Sequence, residues 1–205
     1  MKLVVGLGNP GPRYAGTRHN VGFRVAERFA ADCRIALSEQ RFAGRFGRGT
    51  LCDGEAAASL GVAVLEPQTS MNRSGESVSE AVAALSIDDF GRDLLIVLDD
   101  MDLPFGRLRI RPRGGAGGHR GLSDILQRLE SRDVPRLRFG VGRPPEDAEV
   151  VDHVLQRFSA EEARRLPEHL ERASRAVAAV LREGVSVAMN RFNPDLARED
   201  RAGES

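Results

Sequence analysis

The sequence predicts an α/β fold: a single-domain three-layer sandwich, in which a twisted mixed β-sheet carries helices on both faces. Three observations point there. Leu3-Val4-Val5 and Leu94-Leu95-Ile96-Val97-Leu98 are continuous apolar runs, the pattern of strands covered on both sides. Segments of helical periodicity alternate with such runs along the chain. No stretch of linker composition divides the 205 residues, a length that suits one hydrophobic core.

The elements follow in order. Residues 2–7 read as a buried strand, and 20–33 as an amphipathic helix with Val21, Val25 and Phe29 on one face. Residues 42–65 read as strands around the turn signal Asp53-Gly54. Asn72 or Ser74 is suited to cap a helix that carries Val78, Val82 and Leu85. Residues 93–99 form the second buried strand, 107–112 alternate as another, and 136–142 make a further one. Between the last two, Gly121 to Glu130 is a helix with Leu122, Ile125, Leu126 and Leu129 inward. Ser159 and Glu162 have capping-box spacing. Pro167 then predicts a break or kink, with a helix over 168–183 presenting Leu170, Ala173, Val177 and Leu181. The charged segment 195–205 reads as a frayed tail, which leaves 1–194 as the domain.

Composition removes several function classes. Formal net charge is zero, so any nucleic-acid surface must be a local patch rather than a global field. Lys2 is the one lysine, so 29 of the 30 basic residues are arginine, a side chain suited to phosphate. Cys33 and Cys52 lack metal or disulfide spacing and read as free thiols of a reducing compartment. No apolar stretch reaches membrane-spanning length, and the first residues open on a strand without a signal-peptide pattern. A cytoplasmic protein is expected.

The chemistry gathers at strand ends, where α/β proteins collect their sites. The first strand runs into Gly6-Leu7-Gly8-Asn9-Pro10-Gly11 and on to His19-Asn20 at the start of a helix. A helix N-terminus disfavours a protonated imidazole, which suits a general base. Such a base needs a carboxylate to fix its tautomer, and Asp99 at the end of the second buried strand is the candidate. Asp100 and Asp102 stand beside it; the three acids suit either a divalent cation or an acidic turn before Pro104. No phosphate-loop lysine or second ligand cluster accompanies them, so no metal is expected. Gly6, Gly8 and Gly11 match a dinucleotide fingerprint formally, but Pro10 and Pro12 obstruct the helix that it requires.

Arg107, Arg109, Arg111 and Arg113 occupy alternate positions, which on a strand places them on one face, with Leu108 and Ile110 on the other. No interleaved acid offsets them, so the stripe suits a polyanion. Arg120 and Arg138 are placed to extend it. Gly114-Gly115-Ala116-Gly117-Gly118, directly before His119, reads as a mobile functional loop or a backbone cradle for phosphate.

With these residues in view, the chain resembles the bacterial peptidyl-tRNA hydrolase family over essentially its full length. The resemblance is carried by GLGNPGPRYAGTRHNVGF at 6–23, PQTSMNRSGESV at 67–78, LDDMDLPFG at 98–106, GGAGGHRGL at 114–122, RLRFGVGRP at 136–144 and AMNRFN at 188–193. It implies a monomeric esterase without metal or cofactor that cleaves the bond between a peptide and the 3′ ribose of tRNA. It implies that His19 activates water with Asp99 in support, and that Asn9 separates N-blocked from free aminoacyl-tRNA. Tyr14, Ser70, Met71, Asn72, His119 and Arg120 would line the substrate cleft, and Arg109, Arg111 and Arg138 would grip tRNA phosphate. Asn9 and Asn72 are amide donors suited to a developing oxyanion. Three positions depart from the family pattern: Arg120 where many members carry Asn, Ser70 where Phe is usual, and Glu66 where Lys is usual. A non-catalytic RNA-binding relative would keep the basic face, but it has no need of His19, Asp99, Asn9 and Asn72 together.

Overall fold

A computed structural model describes residues 1–51, 59–143 and 150–194. The chain runs β1 (Lys2–Gly6), a 3-10 turn (Arg18–Asn20), α1 (Val21–Asp32), β2 (Glu39–Arg41), β3 (Gly44–Leu51) and β4 (Leu60–Pro67). A second 3-10 turn (Met71–Arg73), α2 (Ser74–Ala84), α3 (Phe90–Asp93), β5 (Leu94–Asp100), β6 (Leu108–Arg111), α4 (Arg120–Arg128) and β7 (Arg136–Gly140) follow. Then come α5 (Val150–Leu155), α6 (Ala160–Glu183) and α7 (Val185–Phe192). The strands form one seven-stranded mixed sheet in the order β2-β3-β4-β1-β5-β7-β6. The pairings β4–β1, β1–β5 and β5–β7 are parallel, while β2–β3, β3–β4 and β6–β7 are antiparallel.

Alternation along the central strands divides two cores. Val4, Val64, Leu95 and Val97 point to one face, against Val25 and Phe29 of α1 and Leu170 and Val177 of α6. Leu3, Val5, Leu65 and Ile96 point to the other, against Val78 and Val82 of α2 and Leu122 and Ile125 of α4. This is the expected three-layer sandwich. The parallel strands β1 and β5 deliver their C-terminal ends side by side, with Gly6 opposite Val97, so the loops that leave them meet at one edge. Close approach of α1 fixes that edge: a Cβ at Gly22 would stand 2.4 Å from Leu7 O and 2.5 Å from Val97 O.

Two local expectations are corrected. Pro167 does not break the chain into two helices, because α6 is continuous from Ala160 to Glu183. Proline removes the hydrogen bond to the carbonyl of Ala163, and both residues are exposed, where that loss costs less than in a buried helix. The predicted capping box at Ser159 and Glu162 starts the helix, and Leu166, Leu170, Ala173 and Val177 bury one side on both flanks of the proline. Neither Asn72 nor Ser74 caps α2. Ser74 already lies within the helix and its hydroxyl donates to Met71 O at 2.9 Å. The helix start is served from α4 instead, where Asp124 Oδ2 accepts from Gly75 N at 2.7 Å. The Asp53-Gly54 turn and the tail 195–205 lie outside the described residues.

Candidate active site

His19 lies on the first 3-10 turn, Asp99 is the penultimate residue of β5, and His119 directly precedes α4. The fold brings all three together. His19 Nδ1 is 2.9 Å from Asp99 Oδ1, and His119 Nε2 is 3.0 Å from the same oxygen. The two rings sit with centroids 5.2 Å apart. Asp99 is 5% exposed. Burial, the largest single influence on its carboxyl, favours the neutral form. The hydrogen bonds of His119 and His19, joined by the charge of either ring when protonated, outweigh it and hold the group well below the usual carboxylate range.

The hydrogen bonds assign both tautomers. His119 Nδ1 accepts from Leu122 N at 3.2 Å, which caps α4, so its proton sits on Nε2 and points to Asp99. His19 donates to Asp99 through Nδ1, which leaves the lone pair on Nε2 of a ring that lines the cleft.

This network also answers the question of a metal. Among the described residues, the one cluster with converging donors is His19, Asp99 and His119, whose ligand atoms lie within 4.8 Å of one another. A metal needs a lone pair on His119 Nε2, yet that nitrogen carries the proton because Nδ1 is occupied by the amide of Leu122. The trio is arranged as a proton network. The neighbouring acids are not a cation cluster either: Asp100 Oδ2 stands 2.9 Å from Arg138 Nε, and Asp102 Oδ1 stands 2.8 Å from Arg143 Nη2.

Asn9 closes another side. Its backbone exchanges two hydrogen bonds with the side chain of Asn20, at 2.9 Å from Asn9 N and 2.8 Å to Asn9 O. Its own Oδ1 accepts from Met71 N at 2.9 Å, so its Nδ2 donors are turned away from that contact. Asn20, at 2% exposure, holds the Asn9 backbone; the sequence set it beside His19 as part of the same cluster but gave it no role of its own. Asn72 is exposed on the second 3-10 turn and lines the same cleft.

The cleft encloses about 330 Å³ and is lined by Asn9, His19, Ser70, Met71, Asn72, Asp99, His119, Arg120 and Arg138. Val154 and Leu155 of α5 add an apolar wall that the sequence did not reveal. Tyr14 is not part of the lining. Its backbone takes part in the turn leading to Thr17, and its ring lies 5.6 Å from the guanidinium of Arg13.

The arginine stripe is shorter than expected. β6 holds Arg109 and Arg111 alone of the four, opposite Arg138 and Arg136 of β7. Pro112, which has no amide to donate, follows the strand directly. Arg107 Nη2 donates to Asn193 O at 2.9 Å, and Arg113 stands 3.9 Å from Asp133. Acids therefore do offset part of the stripe, Arg138 included. Arg109 and Arg111 remain without an ion pair among the described residues.

Against this geometry, the peptidyl-tRNA hydrolase family profile matches residues 3–201. The chain belongs to the peptidyl-tRNA hydrolase family. It is 45% identical over 194 residues to a peptidyl-tRNA hydrolase of Chloroflexus aggregans, covering 95% of this chain and all of that relative. It is 46% identical to one of Syntrophotalea carbinolica, over 94% of this chain and 97% of the relative. The crystal structure of peptidyl-tRNA hydrolase from Acinetobacter baumannii superposes with a TM-score of 0.82 at 36% identity, covering 94% of each chain. The glycines of the first loop serve close packing rather than the start of a dinucleotide-binding helix. A Cβ at Gly8 would meet the Phe23 ring at 2.7 Å, and α1 starts only at Val21, well past Gly11.

Proposed function

We propose that this peptidyl-tRNA hydrolase uses His19 as its general base, oriented by Asp99. The protein hydrolyses the ester bond of peptidyl-tRNA, releasing peptide and free tRNA and so recycling tRNA from aborted translation. The observation that carries the mechanism is the 2.9 Å contact between His19 Nδ1 and Asp99 Oδ1, which leaves Nε2 as the base.

The steps follow from that arrangement. His19 Nε2 takes a proton from water as the oxygen attacks the ester carbonyl, and Asp99 stabilises the imidazolium that forms. The carbonyl oxygen becomes an oxyanion, for which the amide donors of Asn9 and Asn72 are available. When the intermediate collapses, the imidazolium returns the proton to the ribose oxygen that leaves. Ser70, Met71, His119 and Arg120 form the rim around the peptide and 3′ end. Arg109 and Arg111, with Arg138 beside Asp100, take acceptor-stem phosphates.

The protein works as a monomer in the cytoplasm, where translation generates its substrate. In support, Met1 and Val187 are the exposed large apolar side chains among the described residues, too few for an obligate interface. The deciding experiment compares hydrolysis of an N-acetylaminoacyl-tRNA with that of the unblocked aminoacyl-tRNA, for wild type and His19→Ala. Cleavage of the blocked substrate alone, lost in the variant, is the expected result. Undiminished turnover by His19→Ala overturns the assignment of the base, and binding of tRNA without cleavage by wild type replaces it with the non-catalytic RNA-binding reading.

A further inference from the structure

Arg18 immediately precedes His19 and is 7% exposed. Its backbone amide donates to Gln156 O at 3.0 Å, and the residue before it, Thr17, forms an antiparallel bridge with Arg157. Its guanidinium reaches two further acceptors, one on the segment joining α5 to α6 and one in the first turn of α6. Nη1 donates to Arg157 O, and Nη2 donates to Glu162 Oε2 at 2.6 Å. The same guanidinium lies 5.4 Å from the centre of the Phe158 ring. Glu162 Oε2 also accepts from Ser159 N at 2.7 Å, so one carboxylate closes the start of α6 and holds Arg18.

A three-residue turn has little internal bonding, and this one has no side-chain cap at Thr17. α1 continues it from Val21 and holds its far end, so its near end takes its position from contacts outside the turn. The hydrogen bonds from Arg18 supply such contacts across sequence separations of 139 and 144 residues, and they end one residue from His19. The segment they reach continues from α5, whose Val154 and Leu155 line the cleft. A planar guanidinium holds two acceptors in fixed relative geometry, which an ammonium does not.

We propose that Arg18 is a positioning residue for hydrolysis, which ties the turn carrying His19 to the α5–α6 connection and thereby fixes the base against the apolar wall of the cleft. The proposal rests on the reading of His19 as the base. Arg18 touches no reacting atom in this scheme; it acts through His19 and through Val154 and Leu155.

The test compares Arg18→Gln, Arg18→Lys and Glu162→Gln with wild type. The measurements are kcat and KM for N-acetylaminoacyl-tRNA, Kd for deacylated tRNA, thermal midpoint, and the nitrogen resonances of the His19 imidazole. Arg18→Gln is expected to lower kcat by about tenfold to a hundredfold, with tRNA Kd unchanged and the His19 resonances displaced. Arg18→Lys recovers part of the loss. Glu162→Gln loses less than Arg18→Gln, since its amide oxygen still accepts from Arg18. If Arg18→Gln does not fold, Glu162→Gln carries the same readouts.

A folded Arg18→Gln with kcat within about twofold of wild type overturns the proposal. So does a loss confined to Kd, which would make Arg18 a tRNA contact. A fall in thermal midpoint with unmoved His19 resonances overturns it too, as a purely structural role. If wild type itself does not cleave, the reading of the enzyme fails, while the resonance comparison still decides whether Arg18 sets the position of His19.

Discussion

His19 Nδ1 lies 2.9 Å from Asp99 Oδ1, although the two residues are 80 positions apart in the chain. The contact fixes the ring's tautomer, so removing the charge while keeping the shape tests it cleanly. Asp99→Asn is expected to lower kcat by roughly a thousandfold or more, with tRNA affinity retained. Steady-state kinetics beside a tRNA-binding titration measures both, and a drop of less than about tenfold would show that Asp99 does not orient the base.

His119 links the Asp99 carboxylate to the fold, because the ring that meets Asp99 through Nε2 also caps α4 through Nδ1. His119→Ala should therefore cost about 1 kcal/mol of stability through the lost cap and reduce kcat through the loosened carboxylate. Thermal unfolding and turnover, measured on the same preparation, check this. An effect on activity with no change in stability would mean that the Leu122 contact contributes nothing.

Because the proton on His119 Nε2 occupies the place a metal would need, hydrolysis should continue when a transition-metal chelator is added that leaves Mg²⁺ on the tRNA. Activity lost in chelator and restored by zinc would contradict the assigned tautomer.

Arg109 and Arg111 stand on the exposed side of β6 without ion pairs among the described residues. Replacing both by Ala should weaken tRNA binding and reduce the slope of log K against log salt by about 1.5, as for two lost phosphate contacts. An unchanged slope would remove these arginines from the interface.

Glu66 gives the protein a pH dependence of its own. It is fully buried on β4, with Arg45 Nη1 2.9 Å from its Oε2. Burial first, and the nearby Glu27 second, push its carboxyl up to about 8, against the pull of Arg45. The folded state thus keeps a proton that the unfolded chain gives up near 4.5, so stability should fall as pH rises from about 4.5 to about 8. Glu66→Gln should flatten that part of the curve. Denaturant unfolding across this range decides it, and identical slopes for both proteins would show that Glu66 is ionised throughout.

Much of this protein is written locally. Apolar runs with no polar interruption are typical of strands covered on both sides, and with the helical segments alternating between them they pointed to the central sheet and its two helical layers. The capping box at Ser159 and Glu162 needed only its own spacing. Candidate chemistry was legible as well, since Asn9, His19, Asp99 and His119 all follow or end predicted elements.

Tertiary structure decided the rest, wherever a group's partner lies far away in sequence. Asp124 on α4 serves the start of α2, so the local capping residues Asn72 and Ser74 were not needed there. Asp100 and Asp133 pair with Arg138 and Arg113, which no scan along a single strand could reveal. Pro167 was read by its missing hydrogen bond, but the exposure of Ala163 made that loss tolerable. The sequence by itself marked the side chains on which the proposed chemistry rests and most strands of the sheet, β2 (Glu39–Arg41) excepted. Only the folded chain determined that two histidines converge on one oxygen of Asp99, because orientation depends on contacts between elements and a linear pattern encodes only faces.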